Sequence, residues 1–209
     1  MTGKRCVIIG ASPENDISEV KHLIKDDDII VCADGGYEKA VTAGLKPDII
    51  IGDFDSAPVP VNSSCEVIKL PVMKDDTDTM FCIREFIRRG CSEFLLLGMT
   101  GGRPDHTVAN YCALLFLAQR GFKGCIADEK GLYYVLKNYS MEIKNKSGKG
   151  FAVFPFGCKE CSVELKGFLY EVNDIMLTAE FPLGASNTIN SDNAFVGIKN
   201  GSALVMIYG

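Results

Sequence analysis

Three short stretches of this 209-residue sequence carry residue types and spacings that suit phosphate and metal chemistry. In Gly52-Asp53-Phe54-Asp55-Ser56, a run of isoleucines leads into two carboxylates separated by one residue. If the chain stays extended through Phe54, Asp53 and Asp55 point the same way, and two convergent carboxylates suit a hard divalent cation such as Mg2+. The ordinary alternative is a turn after a strand, where Asp is common. In Lys74-Asp75-Asp76-Thr77-Asp78, three carboxylates crowd into four residues ahead of an apolar helical run. Asp or Thr at that place is an ordinary helix cap. Three carboxylates exceed what a cap needs, so Asp75 and Asp78 are candidates for a further metal or metal-water ligand.

The third stretch, Gly98-Met99-Thr100-Gly101-Gly102-Arg103-Pro104-Asp105-His106-Thr107-Val108-Ala109-Asn110, reads as a strand end, a glycine turn and a helix. Glycines let backbone amides close on a phosphate, and a helix N-terminus adds partial positive charge. Pro104 suits a first helical turn, and the planar fork of Arg103 can take two phosphate oxygens at once. Asp105 stands where it could touch a metal or accept a proton. His106 reads first as a helix-surface residue. Ala33-Asp34-Gly35-Gly36 is another tight turn into a helix, a suitable wall for a nucleotide but a weak signal alone. Neither a Walker-type phosphate loop nor the glycine fingerprint of dinucleotide-binding folds occurs in the sequence.

These stretches need a frame that brings them together. Short β-branched runs over 4–9, 28–32, 48–51, 65–69, 93–97 and 123–127 alternate with helical periodicity over 15–25, 36–43, 78–89 and 104–119. Such alternation predicts an α/β unit, a Rossmann-like and mostly parallel sheet with helices on both faces. In sheets of that kind ligands gather at the C-terminal ends of the strands, where the three stretches fall. Beyond about residue 130 the texture changes to β-type segments over 133–136, 140–144, 151–156, 162–165, 175–181, 194–199 and 203–208, which predicts a C-terminal β-sandwich. The expected domains are 1–130 for the nucleotide and 131–209 for a second function. A β part so small is expected to lean on another domain or a second copy of the chain.

Composition narrows the partners. Twenty-two Lys+Arg against 27 Asp+Glu leave a net charge of −5, which argues against a protein that neutralises a long nucleic-acid backbone. No apolar stretch approaches the roughly 18 to 20 residues of a membrane span, and the apolar segment behind the basic N-terminus is too short for a signal peptide. A cytoplasmic protein is expected. Of nine cysteines, Cys6, Cys32, Cys82, Cys112 and Cys125 lie in apolar runs and read as buried free thiols. Cys158-Lys159-Glu160-Cys161 could be half a zinc site or a redox pair, but His22 and His106 supply no matching ligand spacing, so incidental thiols are the expectation.

Taken together, Ala33 to Gly36, Pro47 to Ser56, Lys74 to Asp78 and Gly98 to Asn110 resemble, in order and spacing, the thiamine pyrophosphokinases of bacteria. Gly167-Phe168-Leu169-Tyr170 and Gly184-Ala185-Ser186-Asn187 resemble two weaker segments of the same family, so the resemblance spans nearly the whole chain. It implies an ATP-binding α/β domain and a thiamine-binding β-sandwich, assembled as a homodimer with active sites between subunits. It implies Mg2+-dependent transfer of the β,γ-diphosphate of ATP to thiamine, releasing AMP. Metal positions map to Asp53, Asp55 and Asp78, with Asp75 and Asp105 close by as candidate proton acceptors. Nucleotide and phosphate contacts map to Asp34, Gly35, Gly36, Thr100, Gly101, Gly102, Arg103, His106 and Asn110, and thiamine contacts to Ser186 and Asn187. Pro104 stands where the family often has Leu, and Thr188 where Glu often follows the Ser-Asn pair. Trp is absent, so aromatic packing on thiamine must use Phe or Tyr, with Phe195 and Tyr208 as candidates. Two other readings start from the same residues: an Asp-x-Asp nucleotide-sugar transferase, and a non-catalytic nucleotide or thiamine sensor.

Overall fold

The computed structural model describes residues 3–54, 65–71 and 76–209, and the chain divides into two compact units. The first comprises Met1–Ala113 and Phe122–Glu129. Its strands are β1 (Lys4–Ile9), β2 (Ile29–Ala33), β3 (Ile49–Gly52), β4 (Glu66–Lys69), β5 (Cys91–Leu97) and β6 (Lys123–Asp128). They lie side by side in the order β4-β3-β2-β1-β5-β6, and every pairing is parallel. Cys6, Val7, Ile8 and Ile9 are consecutive and all buried, so both faces of β1 are shielded, which is why it reads as an unbroken apolar run.

The helices of this unit are α1 (Ile17–Val20), continued by a 3-10 turn at Lys21–Leu23, α2 (Gly36–Thr42), α3 (Asp78–Arg88) and the start of α4 (Pro104–Gln119). Helix α3 follows its periodicity closely: Thr79, Cys82, Ile83 and Phe86 are buried, three and four residues apart. Thr77 caps it, its side chain accepting the Met80 N–H at 3.2 Å. The helix expected over 15–25 is much shorter. Asp16 is its cap, taking the Ser18 N–H at 2.9 Å, and Asn15 is drawn inward to a different task described below.

The second unit comprises Leu114–Gly121 and Lys130–Gly209. Its strands are β7 (Gly131–Lys137), β8 (Ser140–Lys144), β9 (Gly150–Pro155), β10 (Glu160–Lys166), β11 (Val172–Thr178), β12 (Asn187–Thr188), β13 (Asn193–Lys199) and β14 (Ser202–Tyr208). They pair antiparallel in two groups of four, β12-β9-β14-β7 and β11-β10-β13-β8. One hydrophobic cluster draws on both groups, with Phe151, Val153 and Val205 from the first and Val163, Val196 and Ile198 from the second. Phe151 and Phe168 anchor it, ring centroids 4.4 Å apart. The strand expected over 175–181 runs earlier, over Val172–Thr178. Ala179 leaves the ladder to bond Lys159, and Phe181 turns back on Thr178.

All nine cysteines are free, and Cys6, Cys32, Cys82, Cys91 and Cys161 are buried. Cys125, also expected to be buried, is only half-buried, and Cys112 corrects the expectation of burial outright. It lies on the exposed side of α4, where an apolar neighbourhood in sequence does not put every residue on the inner face. Among the described residues no helix is long and apolar enough to cross a membrane.

Candidate active site

The segments after β1 and β5 run side by side at the C-terminal edge of the parallel strands. The Gly10 N–H donates to Leu97 O at 2.8 Å and the Ser12 N–H to Gly98 O at 3.1 Å. A Cβ on Gly98, where φ is 67°, would stand 2.5 Å from Gly10 O, so this approach requires glycine. Beyond it, Thr100 is buried and held at each of its polar groups. Its N–H donates to Asn15 Oδ1 at 3.1 Å, its carbonyl accepts from the Ser12 hydroxyl, and its own hydroxyl donates to Asp128 Oδ2 at the end of β6. Asn110, on α4, donates through Nδ2 to Met99 O at 2.8 Å. The predicted phosphate residues Thr100 and Asn110 thus have their side chains turned inward, on the loop itself. Gly101 and Gly102 follow with φ of 77° and 64°, close against Glu14 and Pro13.

Arg103 and Asp105 stand exposed at the N-terminus of α4 and hold each other. Arg103 Nε donates to Asp105 Oδ1 at 3.2 Å and Nη2 to Oδ2 at 2.6 Å, a two-pronged pair. The Arg103 guanidinium holds the Asp105 carboxyl below the usual carboxylate range. Exposed pairs of this kind exchange partners at little cost. His106 is exposed beside them.

Asp34, Gly35 and Gly36 form the turn from β2 into α2. Asp34 has φ of 46° and its N–H bonds Ile51 O at 2.8 Å, while its Oδ1 lies 3.1 Å from where a Gly52 Cβ would be. This brings Asp34 beside the end of β3, one residue before Asp53. The extended geometry expected of Asp53-Phe54-Asp55 does not hold. Strand β3 ends at Gly52, and at Phe54 φ is 57°, so the chain turns into the left-handed region and the two-residue alternation is lost. Asp55 and Asp75 lie outside the described residues. Asp78 opens α3, and the next residue, Thr79, places its Oγ1 3.7 Å from Met99 Sδ, which ties the start of that helix to the same edge. Asp76 forms an ion pair with Arg84. Among the described residues, no three of His, Cys, Asp and Glu group as a metal-holding set. The carboxylates of this edge supply hard oxygen donors, the kind Mg2+ takes.

In the second unit, Ser186 is exposed with φ of 61°. Asn187 is buried and its amide is occupied: Oδ1 accepts the N–H groups of Tyr170 at 3.0 Å and Thr188 at 2.8 Å, and Nδ2 donates to Tyr170 O at 2.8 Å. Asn187 therefore fastens the 168–170 segment to the start of β12. Phe195 lies under Lys166, whose Nζ is 5.7 Å from the ring centroid.

Residues that sequence reasoning passed over complete the first site. Ser12, Asn15 and Asp128 clamp Thr100, and Lys39 of α2 donates to Asn15 O at 2.8 Å. Gly10 at the end of a first strand was the available signal, since the loop after such a strand falls on the ligand edge of an α/β sheet.

The comparisons with known proteins bear on both units. The family model described as thiamin pyrophosphokinase, catalytic domain, matches residues 20–126, and that described as thiamin pyrophosphokinase, vitamin B1 binding domain, matches residues 140–205. The chain is 24% identical over 207 residues to the thiamine pyrophosphokinase of Bacillus subtilis strain 168, covering 96% of each chain. The solved thiamine pyrophosphokinase of Bacillus subtilis superposes with a TM-score of 0.86 at 21% identity, covering 98% of this chain and 99% of that one. The thiamin pyrophosphokinase of Geobacillus thermodenitrificans gives 0.85 at 22% identity, covering 98% and 97%. Neither the nucleotide-sugar transferase nor the sensor reading is favoured by these matches. With its catalytic model covering just over half of the chain and its vitamin-binding model most of the remainder, the protein belongs to the thiamin pyrophosphokinase family of kinase-type transferases.

Proposed function

We propose that this protein transfers the β,γ-diphosphate of ATP to the hydroxyl of thiamine, giving thiamine diphosphate and AMP. The observation that carries the reading is the meeting, at one edge of the parallel strands, of the Thr100 to Arg103 loop with the turns that bear Asp34 and Asp53 and with the start of α3. In this reading residues 1–130 form a Rossmann-like nucleotide domain and residues 131–209 a β-sandwich that takes thiamine. The triphosphate lies along Gly101, Gly102 and Arg103 at the N-terminus of α4, with His106 beside it and with Asp34, Gly35 and Gly36 bordering the nucleotide. Thr100 and Asn110 contribute by shaping the loop. Asp53, Asp55 and Asp78 hold Mg2+, whose charge, when bound, offsets that of the polyphosphate.

Arg103 has two calls on its fork. On binding phosphate it releases Asp105, whose carboxyl then returns towards its ordinary range and becomes a better proton acceptor. The thiamine oxygen attacks the β-phosphorus, the bond from that phosphorus to the oxygen of the α-phosphate breaks, and the hydroxyl proton passes to Asp105 or Asp75. Most of the acceleration comes from alignment and charge neutralisation. The working form is a cytoplasmic homodimer, with Ser186 of the second copy serving thiamine and Asn187 contributing by fastening the 168–170 segment. The test is incubation with thiamine, ATP and Mg2+ followed by mass analysis. Thiamine diphosphate and AMP are expected, and ADP as the nucleotide product, or no transfer at all, rejects the reading.

A further inference from the structure

We propose that Asn15 and Asp128 are positioning residues for nucleotide binding, setting the backbone of the Thr100 to Arg103 loop without touching the substrate. The inference rests on the reading of that loop as the triphosphate cradle. Asn15, Thr100 and Asp128 are 4%, 6% and 5% exposed, so the cluster is sealed from solvent, and a lost bond there is not replaced by water. Thr100 is 85 residues from Asn15 and 28 from Asp128, so neither bond belongs to a local turn. The Thr100 hydroxyl has a single proton and two acceptors within reach, Asp128 Oδ2 and, at 3.2 Å, Asn15 Oδ1. Donation to the closer carboxylate leaves Asn15 Oδ1 to the Thr100 N–H, which fixes the rotation of the Met99–Thr100 peptide that leads into Gly101.

That rotation matters because the next two residues stand in the left-handed region and are confined from outside. A Cβ on Gly101 would lie 2.5 Å from the Glu14 carboxylate, and one on Gly102 2.9 Å from Pro13 Cδ. Pro13 and Glu14 immediately precede Asn15 in sequence, so the residue that aims the Thr100 amide is joined directly to the wall against which the glycines rest. Lys39 continues the connection, its Nζ donating to Asn15 O at 2.8 Å from α2, the helix that starts at Gly36. Asn15 thereby links α2 to the Thr100 loop, through its backbone carbonyl on one side and its side chain on the other. Asn15 Nδ2 also reaches Glu129 Oε2 at 3.5 Å, next to Asp128.

The experiment measures the Kd of Mg2+-ATP by calorimetry, KM for ATP and for thiamine, and Tm, on the full-length protein. Asn15→Ala and Asp128→Ala are expected to weaken ATP binding about ten-fold and to raise KM for ATP in proportion, with KM for thiamine unchanged. Asp128→Asn, which keeps an oxygen for the Thr100 hydroxyl, restores most of that affinity. Should the alanine variants not fold, Thr100→Val, which keeps the shape and removes only the hydroxyl, is expected to show the same loss, and Thr100→Ser to recover it. ATP affinity within about two-fold of the parent in these variants, with only Tm lowered, assigns the cluster to folding alone and overturns the proposal. A parent protein that binds Mg2+-ATP but makes no thiamine diphosphate refutes the catalytic reading, while the affinity ratios still decide this one. A parent that binds no ATP refutes both.

Discussion

Replacing Gly36 by Ala tests how tightly the nucleotide turn is seated on β1. A Cβ at Gly36 would stand 2.0 Å from Ile9 O and 2.7 Å from Ile9 C. An ordinary carbon–oxygen contact is over 3 Å, so α2 or β1 has to move by about 1 Å. Strand β1 cannot give way, because Ile9 is held in register with Cys32 on one side and Leu97 on the other. The start of α2 must lift instead and carry Asp34 and Gly35 with it. Overpacking of this kind costs about 1 to 3 kcal/mol, and the better helix propensity of Ala returns at most about 1 kcal/mol. A contact this short belongs at the upper end, so we expect a net loss of about 2 kcal/mol and a fall in Tm of roughly 4 to 8 °C. KM for ATP rises as the turn shifts. Gly35→Ala is the internal control, since its Cβ would meet only Ala11 Cβ, at 3.2 Å, and its stability stays within about 0.5 kcal/mol of the parent. Urea denaturation of the three proteins decides the matter: a Gly36→Ala protein as stable as Gly35→Ala would refute the packing argument.

The other predictions concern parts of the molecule away from that turn. Arg5 grips Asp28 with two bonds, of 2.8 and 2.6 Å, at the end of the strands opposite the site, and the Lys25 N–H adds a third at 2.7 Å. Burial opposes ionisation of Asp28 most strongly, but the Arg5 and Lys25 bonds outweigh it and its pKa is lowered. Asp28→Asn should therefore cost about 3 kcal/mol at neutral pH with KM values unchanged. That margin is full above the ordinary aspartate range and vanishes as pH falls through the depressed folded value, which urea titrations at a series of pH values will check. Asn187→Ala removes the partners of both the Tyr170 N–H and the Tyr170 carbonyl and should lower stability by about 2 kcal/mol in urea denaturation. Burial pushes the Cys32 thiol up to about 12 and the Cys161 thiol up to about 11. A thiol reagent at about pH 8 should mark exposed Cys112 in the native protein and reach Cys32 and Cys161 only after denaturant, as peptide mass mapping will report.

Local patterns made much of the fold legible. Strand β1 and helix α4 occupy the limits expected from the sequence, because an apolar run and a proline-opened periodic segment are properties of neighbouring residues. Strand β12, two residues long, has no pattern to read. Asn15 was drawn into a helix by its neighbours, whereas the structure uses it to hold a residue far along the chain. At Phe54 the strand alternation is lost, because a strand pattern does not announce the residue at which the backbone leaves the sheet. The exposure of Cys112 follows the same logic, since an apolar stretch identifies a helix more surely than it identifies its inner face.

The sequence alone determined the family, the order of α/β and β segments, and the glycines, arginine and carboxylates available for phosphate chemistry. Those are choices of residue type and short spacing, and they survive without knowledge of any distant contact. Only the tertiary structure decided that Arg103 and Asp105 hold each other, that Asn187 is occupied by Tyr170, and that Thr100 faces Asn15 and Asp128. The last two join residues between 17 and 85 positions apart, brought together by strand order and loop closure. Buried polar groups must find partners, and which partner each finds is settled by packing.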